Sequence, residues 1–222
     1  MKKNILILCM LGASALTVSG QTLLKGTKFT DNWSVGINGG VTTPMTHSAF
    51  WKNSRPAVGI ELSKRITPVL SLGTSVMGHI NTSSSKTAFD ASNVELLSKF
   101  NMMNLFGGYP GTHRTFEMEA VVGVGWLHGY VNGTGDDNSW GTRLGMDFNF
   151  NIGKEKAWAI SLKPSLVYDM EGDFNRHKSR FNANNARVEL LAGITYYIKG
   201  SSGRHHATLV KEYNQTEVDN LN

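Results

Sequence analysis

Acids and bases stand at alternate positions in several apolar stretches of this chain. The acids are Glu61, Glu117, Glu119, Asp147 and Glu189; the bases are Arg143, Lys163 and Arg187. Two kinds of chemistry use such groups. General acid–base catalysis needs a carboxyl group within reach of a substrate. Structural pairing needs only that each buried charge meet its opposite, because an isolated one is costly or changes protonation. Counting along each stretch puts Glu119, Asp147 and Lys163 at similar height on neighbouring segments. That predicts an ion-pair network across a narrow interior, with no cleft leading to it.

Other candidate chemistry is sparse. Ser75 and His79 share one face of their segment. His205-His206 is an isolated pair without metal-ligand spacing. Asp136-Asp137-Asn138 lacks the spacing of a calcium loop. Gly36, Gly39 and Gly40 open no helix, so they do not form a phosphate-binding turn. No cofactor and no metal is expected. The net charge of +5 includes no polybasic run of the kind that grips nucleic acid.

The elements that carry these residues have period two, the strand period. Seven segments are clear, running through Trp33–Val41, Val58–Leu62, Leu70–Ile80, Phe116–Trp126, Thr142–Ile152, Trp158–Tyr168 and Val188–Ile198. One parity of each is apolar or small. No charged residue falls on it, although 18% of the chain is charged. The other parity is Gly, Ser, Asn and Thr, with the acids and bases above. An eighth segment, Val94–Gly107, is less regular: Asn101 and Asn104 have opposite parity, which predicts a bulge. Pro164 predicts a bulge or local break, because it has no N–H for the ladder.

One apolar face and one polar face on strands of this length is the pattern of a lipid-facing barrel. The connections 43–55, 81–93, 128–139 and 169–185 are long. Those at 65–68, 108–114 and 153–156 are short. The chain therefore reads as all-β: an eight-stranded antiparallel up-and-down transmembrane β-barrel with long extracellular loops and short periplasmic turns. Trp33, Tyr109, Phe116, Phe150, Trp158 and Tyr196 fall near the short-turn ends; Trp126, Trp140 and Tyr168 fall near the long-loop ends. Two aromatic girdles at the lipid headgroups are expected from them. An eight-stranded interior is filled by its own side chains, so the lumen should be plugged.

The ends fit this reading. Lys2 and Lys3, the apolar run Ile5–Leu11 and the small residues Val18-Ser19-Gly20 have the order of a secretory signal, assigned to 1–20. Cys9, the only cysteine, lies within it. Residues 21–32 read as a short periplasmic segment, 33–198 as the barrel, and 199–222 as a periplasmic linker cut short before a further domain. Asn214 to Glu217 has the spacing of a helix-capping box. Both barrel ends are expected in the periplasm.

Three stretches, Asn104-Leu-Phe-Gly-Gly-Tyr109, Val122-Gly-Val-Gly-Trp126 and Gly193-Ile-Thr-Tyr-Tyr-Ile198, resemble the N-terminal membrane domain of OmpA-type outer-membrane proteins. The resemblance covers about 33–198. It implies a non-enzymatic role in envelope integrity and surface contacts. In the last stretch, Gly193, Tyr196 and Ile198 are similar to the terminal-strand signal read by the barrel assembly machinery. The partners implied are outer-membrane lipid and lipopolysaccharide, that machinery, and surface ligands met through the long loops. The basic stretch Arg176–Arg180 is a candidate for lipopolysaccharide phosphates. Rival readings are an outer-membrane lipid hydrolase or acyltransferase built on Ser75 and His79, a small-solute pore, and a soluble lipocalin-type barrel.

Overall fold

Residues 24–25, 28–46, 52, 54–81, 86–130, 135–170 and 183–209 are described by a computed structural model. The export signal read at 1–20, the basic stretch 176–180 and the capping-box residues 214–217 lie outside the described residues.

The strands are β1 (Leu24–Lys25), β2 (Trp33–Pro44), β3 (Arg55–Arg65), β4 (Leu70–Ile80), β5 (Phe89–Asn101), β6 (Phe116–Gly129), β7 (Asp137–Ile152), β8 (Trp158–Asp169), β9 (Ala186–Tyr197) and β10 (Thr208–Leu209). A short helix, α1, spans Met102–Gly107, and a 3-10 turn at Ala183–Asn185 precedes β9. Strands β2 to β9 pair antiparallel in sequence order. β2 also pairs with β9, from Ser34↔Tyr197 to Pro44↔Arg187, and closes the barrel. The fold is the closed eight-stranded up-and-down barrel that the period-two pattern predicts.

Parity decides which side chains go inside. Ile37, Leu96 and Leu144 point outward and are 70%, 68% and 64% exposed. Their polar neighbours Asn38, Glu95 and Arg143 point inward and are buried. A barrel with this division is apolar outside and polar within, the reverse of a water-soluble one. The wholly apolar interior cluster is small: Ala57, Met77 and Leu191.

Three expectations need correction. The irregular segment has no bulge at Asn101; the register shift of this strand against β4 lies at its start, between His79↔Ala91 and Ile80↔Phe89. β5 starts earlier, at Phe89, and ends at Asn101, whose Oδ1 accepts a hydrogen bond from the Asn104 N–H at 2.8 Å. That side chain caps α1, so the parity conflict between Asn101 and Asn104 marks the start of a helix. Gly108 ends the helix at a φ of +68°, which favours glycine. Asn104 then donates to the Pro68 carbonyl at 2.9 Å, tying this connection to the neighbouring turn.

The second correction concerns the loops. Residues 102–115 join β5 to β6 on the supposed short-turn side, and they outrun connections 81–88 and 130–136 opposite. The third concerns the tail. Its first part, read as linker, is docked: β10 pairs with β1, and Ala207 is buried.

Pro164 does break its ladder locally. β7 and β8 pair from Gly141↔Asp169 to Gly145↔Ser165, then resume at Phe148↔Leu162 in the same register. On its other side Pro164 still stands opposite Leu190.

Candidate functional site

The inward faces of the strands bring the charged residues into three tiers along the barrel axis. The middle tier is built on Glu61. Its carboxylate accepts from Lys99 and, at 2.9 Å, from Lys163. Lys99 also reaches Asp147 at 2.7 Å, and Lys163 lies 3.8 Å from Asp147. Asn38 and Ser63 donate to the remaining lone pairs of Glu61 at 3.5 and 3.3 Å. Two carboxylates and two ammoniums thus share one buried square. Gly193 leaves room for this group: a Cβ there would collide first with the Asn38 amide oxygen and would also crowd Lys163 Cε at 3.3 Å.

The tier toward the long loops centres on Arg143. Its Nε donates to Glu95 at 2.7 Å, and its Nη1 lies 2.8 Å from Glu189 and 2.6 Å from the Ser165 hydroxyl. His79 Nε2 is 3.6 Å from the other Glu189 oxygen. The guanidinium fork suits two carboxylates at once.

The tier toward the turns centres on Arg65, 3.7 Å from Glu117 and 3.8 Å from Glu119. Asn149 donates to Glu119 at 3.1 Å, and the Arg114 N–H donates to Glu117 at 3.1 Å. His113, in the β5–β6 connection, lies 3.3 Å from Glu117 and stacks on Tyr197 at 4.1 Å between centroids. Burial, then the Arg65 charge, holds His113 below its ordinary value of 6.5, so its ring is neutral near pH 7.

Seven of the eight residues singled out in the sequence enter these tiers: Glu61, Glu117, Glu119, Arg143, Asp147, Lys163 and Glu189. Arg187 does not. It shares their parity but sits at the barrel mouth, half-buried, without an ion-pair partner among the described residues. Sequence reasoning missed Arg65, Glu95 and Lys99. The last two were hidden in the irregular segment, yet Glu95, Leu97, Lys99 and Asn101 hold one parity, and that signal would have placed them inside.

Ser75 and His79 are both buried on the inner face of β4. Glu61 and Glu95 flank Ser75, and His79 turns to Glu189. The pair faces the barrel interior, away from the apolar outer wall, where a hydrolase acting on membrane lipid would need it.

The outward aromatics gather at both rims. Phe116 packs on Phe150 at 5.1 Å and Trp158 on Tyr196 at 4.7 Å. Trp33 stands at the same end, with the Lys64 ammonium 5.3 Å from its ring centroid. At the other end Trp126 and Trp140 are cross-strand partners, and Tyr168 stands opposite Thr142. Tyr109 departs from the expected girdle. Its hydroxyl donates to the Ala207 carbonyl at 2.7 Å, so it clamps the tail beneath the barrel instead. Burial pushes its phenol up to about 12.

Asp31 is the other clamp. It accepts from the Ser201 N–H at 2.7 Å and the Ser201 hydroxyl at 2.8 Å. These bonds, the backbone one first, lower its pKa below the ordinary 3.8. A depressed carboxylate contributes stability that is complete above its ordinary value and lost as pH falls through the lowered one. Docking of residues 199–209 should therefore persist at neutral pH and weaken only in strong acid. Asp31→Ala should free the stretch around Ser201 at any pH, making residues 199–204 cleavable in limited proteolysis while the barrel stays intact. Unchanged resistance would show that Asp31 does not hold the tail.

Fold and site together define a class: a small closed barrel of the outer-membrane type, apolar outside and ion-paired within. The N-terminal β-barrel domain of OprF from Pseudomonas aeruginosa has this fold. The likeness covers 75% of this chain and 97% of that one, at 11% identity and a TM-score of 0.50. Neisserial surface protein A is similar over 76% of this chain and 98% of its own, at 13% identity and a TM-score of 0.52. At such identities the likeness is one of fold. No family model and no curated protein matches the chain in sequence.

Proposed function

We infer that the chain is a non-enzymatic integral outer-membrane barrel with a plugged lumen. It braces the envelope and presents surface loops for contact. One observation carries this reading: the exposed wall is apolar strand after strand while the charges are matched inside. A closed ladder satisfies every backbone group in lipid, which an open sheet cannot do. The aromatic rims suit the headgroup level of lipid and lipopolysaccharide. In this reading both barrel ends face the periplasm. The residues Gly193, Tyr196 and Ile198 at the closing strand serve recognition by the assembly machinery.

Heat-modifiability tests the membrane barrel. The refolded chain in detergent should migrate faster on a denaturing gel unboiled than boiled. A single unshifted band from protein found in the soluble fraction would overturn the reading. Planar-bilayer conductance tests the plug. Lys163→Met removes one corner of the buried square and should raise conductance or lower the folded yield. A variant that does neither would show that the square does not close the lumen.

A further inference from the structure

At the long-loop end the lumen widens into an open vestibule of about 690 Å³ above the Arg143 tier. Its walls include Thr42, Lys52, Arg55, His79, Tyr130 and Arg187. Among the described residues Asp90 is the one acid lining it, and Arg55 lies 3.6 Å from its carboxylate. Glu189, just below, is matched by Arg143 at 2.8 Å. Asp136, Asp137 and Asp169, at the ends of β7 and β8, do not line it. The vestibule is left with two cations, Lys52 and Arg187, that no described carboxylate neutralises.

Two groups there lack partners. The Arg187 guanidinium makes no hydrogen bond or ion pair among the described residues, although its backbone belongs to the ladders on both sides. Thr42, only 4% exposed, has a hydroxyl with no hydrogen-bond partner. The two come from paired strands: Thr42 stands opposite Glu189, and Pro44 opposite Arg187. A buried hydroxyl without a partner is costly. It can donate to an acceptor placed in the vestibule. An unengaged guanidinium offers a planar fork of donors, the geometry that recognises phosphate and related oxyanions.

We propose that this vestibule is a binding site for a tetrahedral oxyanion, phosphate or sulfate, free or carried on a sugar. Arg187 supplies the principal charged donors, Lys52 a second positive charge, and the Thr42 hydroxyl a neutral donor. Tyr130 gives a flat aromatic wall against which a sugar ring can lie. The volume falls in the range of small-ligand sites. The inference does not depend on the bilayer reading, since it concerns the barrel mouth alone.

The test is calorimetric titration of the refolded full chain, in a phosphate-free amine-oxide detergent at low salt. The probes are inorganic phosphate, inorganic sulfate and glucose 6-phosphate. Saturable binding of at least one probe is expected. Arg187→Gln should weaken it about tenfold or more, the loss of a charge-assisted hydrogen bond. Lys154→Gln, in the turn at the opposite end, should leave it unchanged. Tighter binding of glucose 6-phosphate than of phosphate supports a sugar-borne anion; equal binding supports the free ion. No saturable heat with any probe up to about 10 mM, a concentration that would detect even millimolar affinity, overturns the site. So does equal affinity in Arg187→Gln that has refolded by the gel-shift criterion. If that variant does not refold, Lys52→Gln replaces it: severalfold weaker binding supports the site, and unchanged binding overturns it.

Discussion

Glu61→Gln should cost the barrel about 3–5 kcal/mol, the usual penalty for stranding a buried charge by removing its partner. The carboxylate holds two buried ammoniums, Lys99 and Lys163. Without it both must share Asp147, which already accepts from Lys99 at 2.7 Å and lies 3.8 Å from Lys163. Glutamine keeps the volume but supplies no charge. The measurement is urea unfolding of the refolded barrel in detergent, followed by tryptophan fluorescence. A midpoint equal to that of the parent would show that the square is neutral to stability. A second variant separates charge from packing. Glu61→Leu combined with Lys163→Met removes an entire pair, and apolar replacement of a complete buried pair is often neutral or stabilising. The double variant should therefore be more stable than Glu61→Gln.

Leu96→Arg should be nearly as damaging, for the opposite reason. Leu96 stands on the outer wall, midway along β5, opposite Thr74 and Val124. It is 68% exposed. On a water-facing surface such a change is usually worth no more than about 0.5 kcal/mol. At the middle of a bilayer an arginine costs about 2–4 kcal/mol, and near the interface about 0–1. Unfolding from lipid vesicles should show the large penalty for Leu96→Arg and a small one for Ile152→Arg, at the end of β7. Equal, small effects at both positions would place the outer wall in water and remove the membrane reading.

Most of the barrel was legible because period two is enforced by two incompatible surroundings. Ile37 and Asn38 cannot exchange places without exposing amide to lipid and apolar surface to a polar lumen. The misreadings share a cause: local side-chain chemistry that overrides the period. Asn101 stops β5 by capping a helix turn, and in a bare sequence that resembles a register slip. With β5 misplaced, Lys99 and Glu95 went unseen, and so did half the partners of Glu61 and Arg143. Arg65 was assigned to a turn because it is the last residue of β3, one pleat beyond the clear alternation. Residues 199–204 have linker composition. What docks them is a single distant carboxylate, Asp31, and no periodic pattern reports such a contact.

The seam between β2 and β9 bears on how the barrel comes into being. Ser34 pairs with Tyr197, so ring closure joins strands from opposite ends of the barrel's sequence. Hairpins between successive strands can form as each arrives, but the seam must wait for the last. Such distant pairing makes folding slow, because a long loop is ordered before the contacts that reward it appear. Until then β2 and β9 are open edges, competent to pair with any other strand. Gly36, Gly39, Gly40 and Gly193 all lie on these two strands. The seam is thus the step at which premature or intermolecular pairing competes with completion, and the point where a guardian of the unfinished barrel has most to protect.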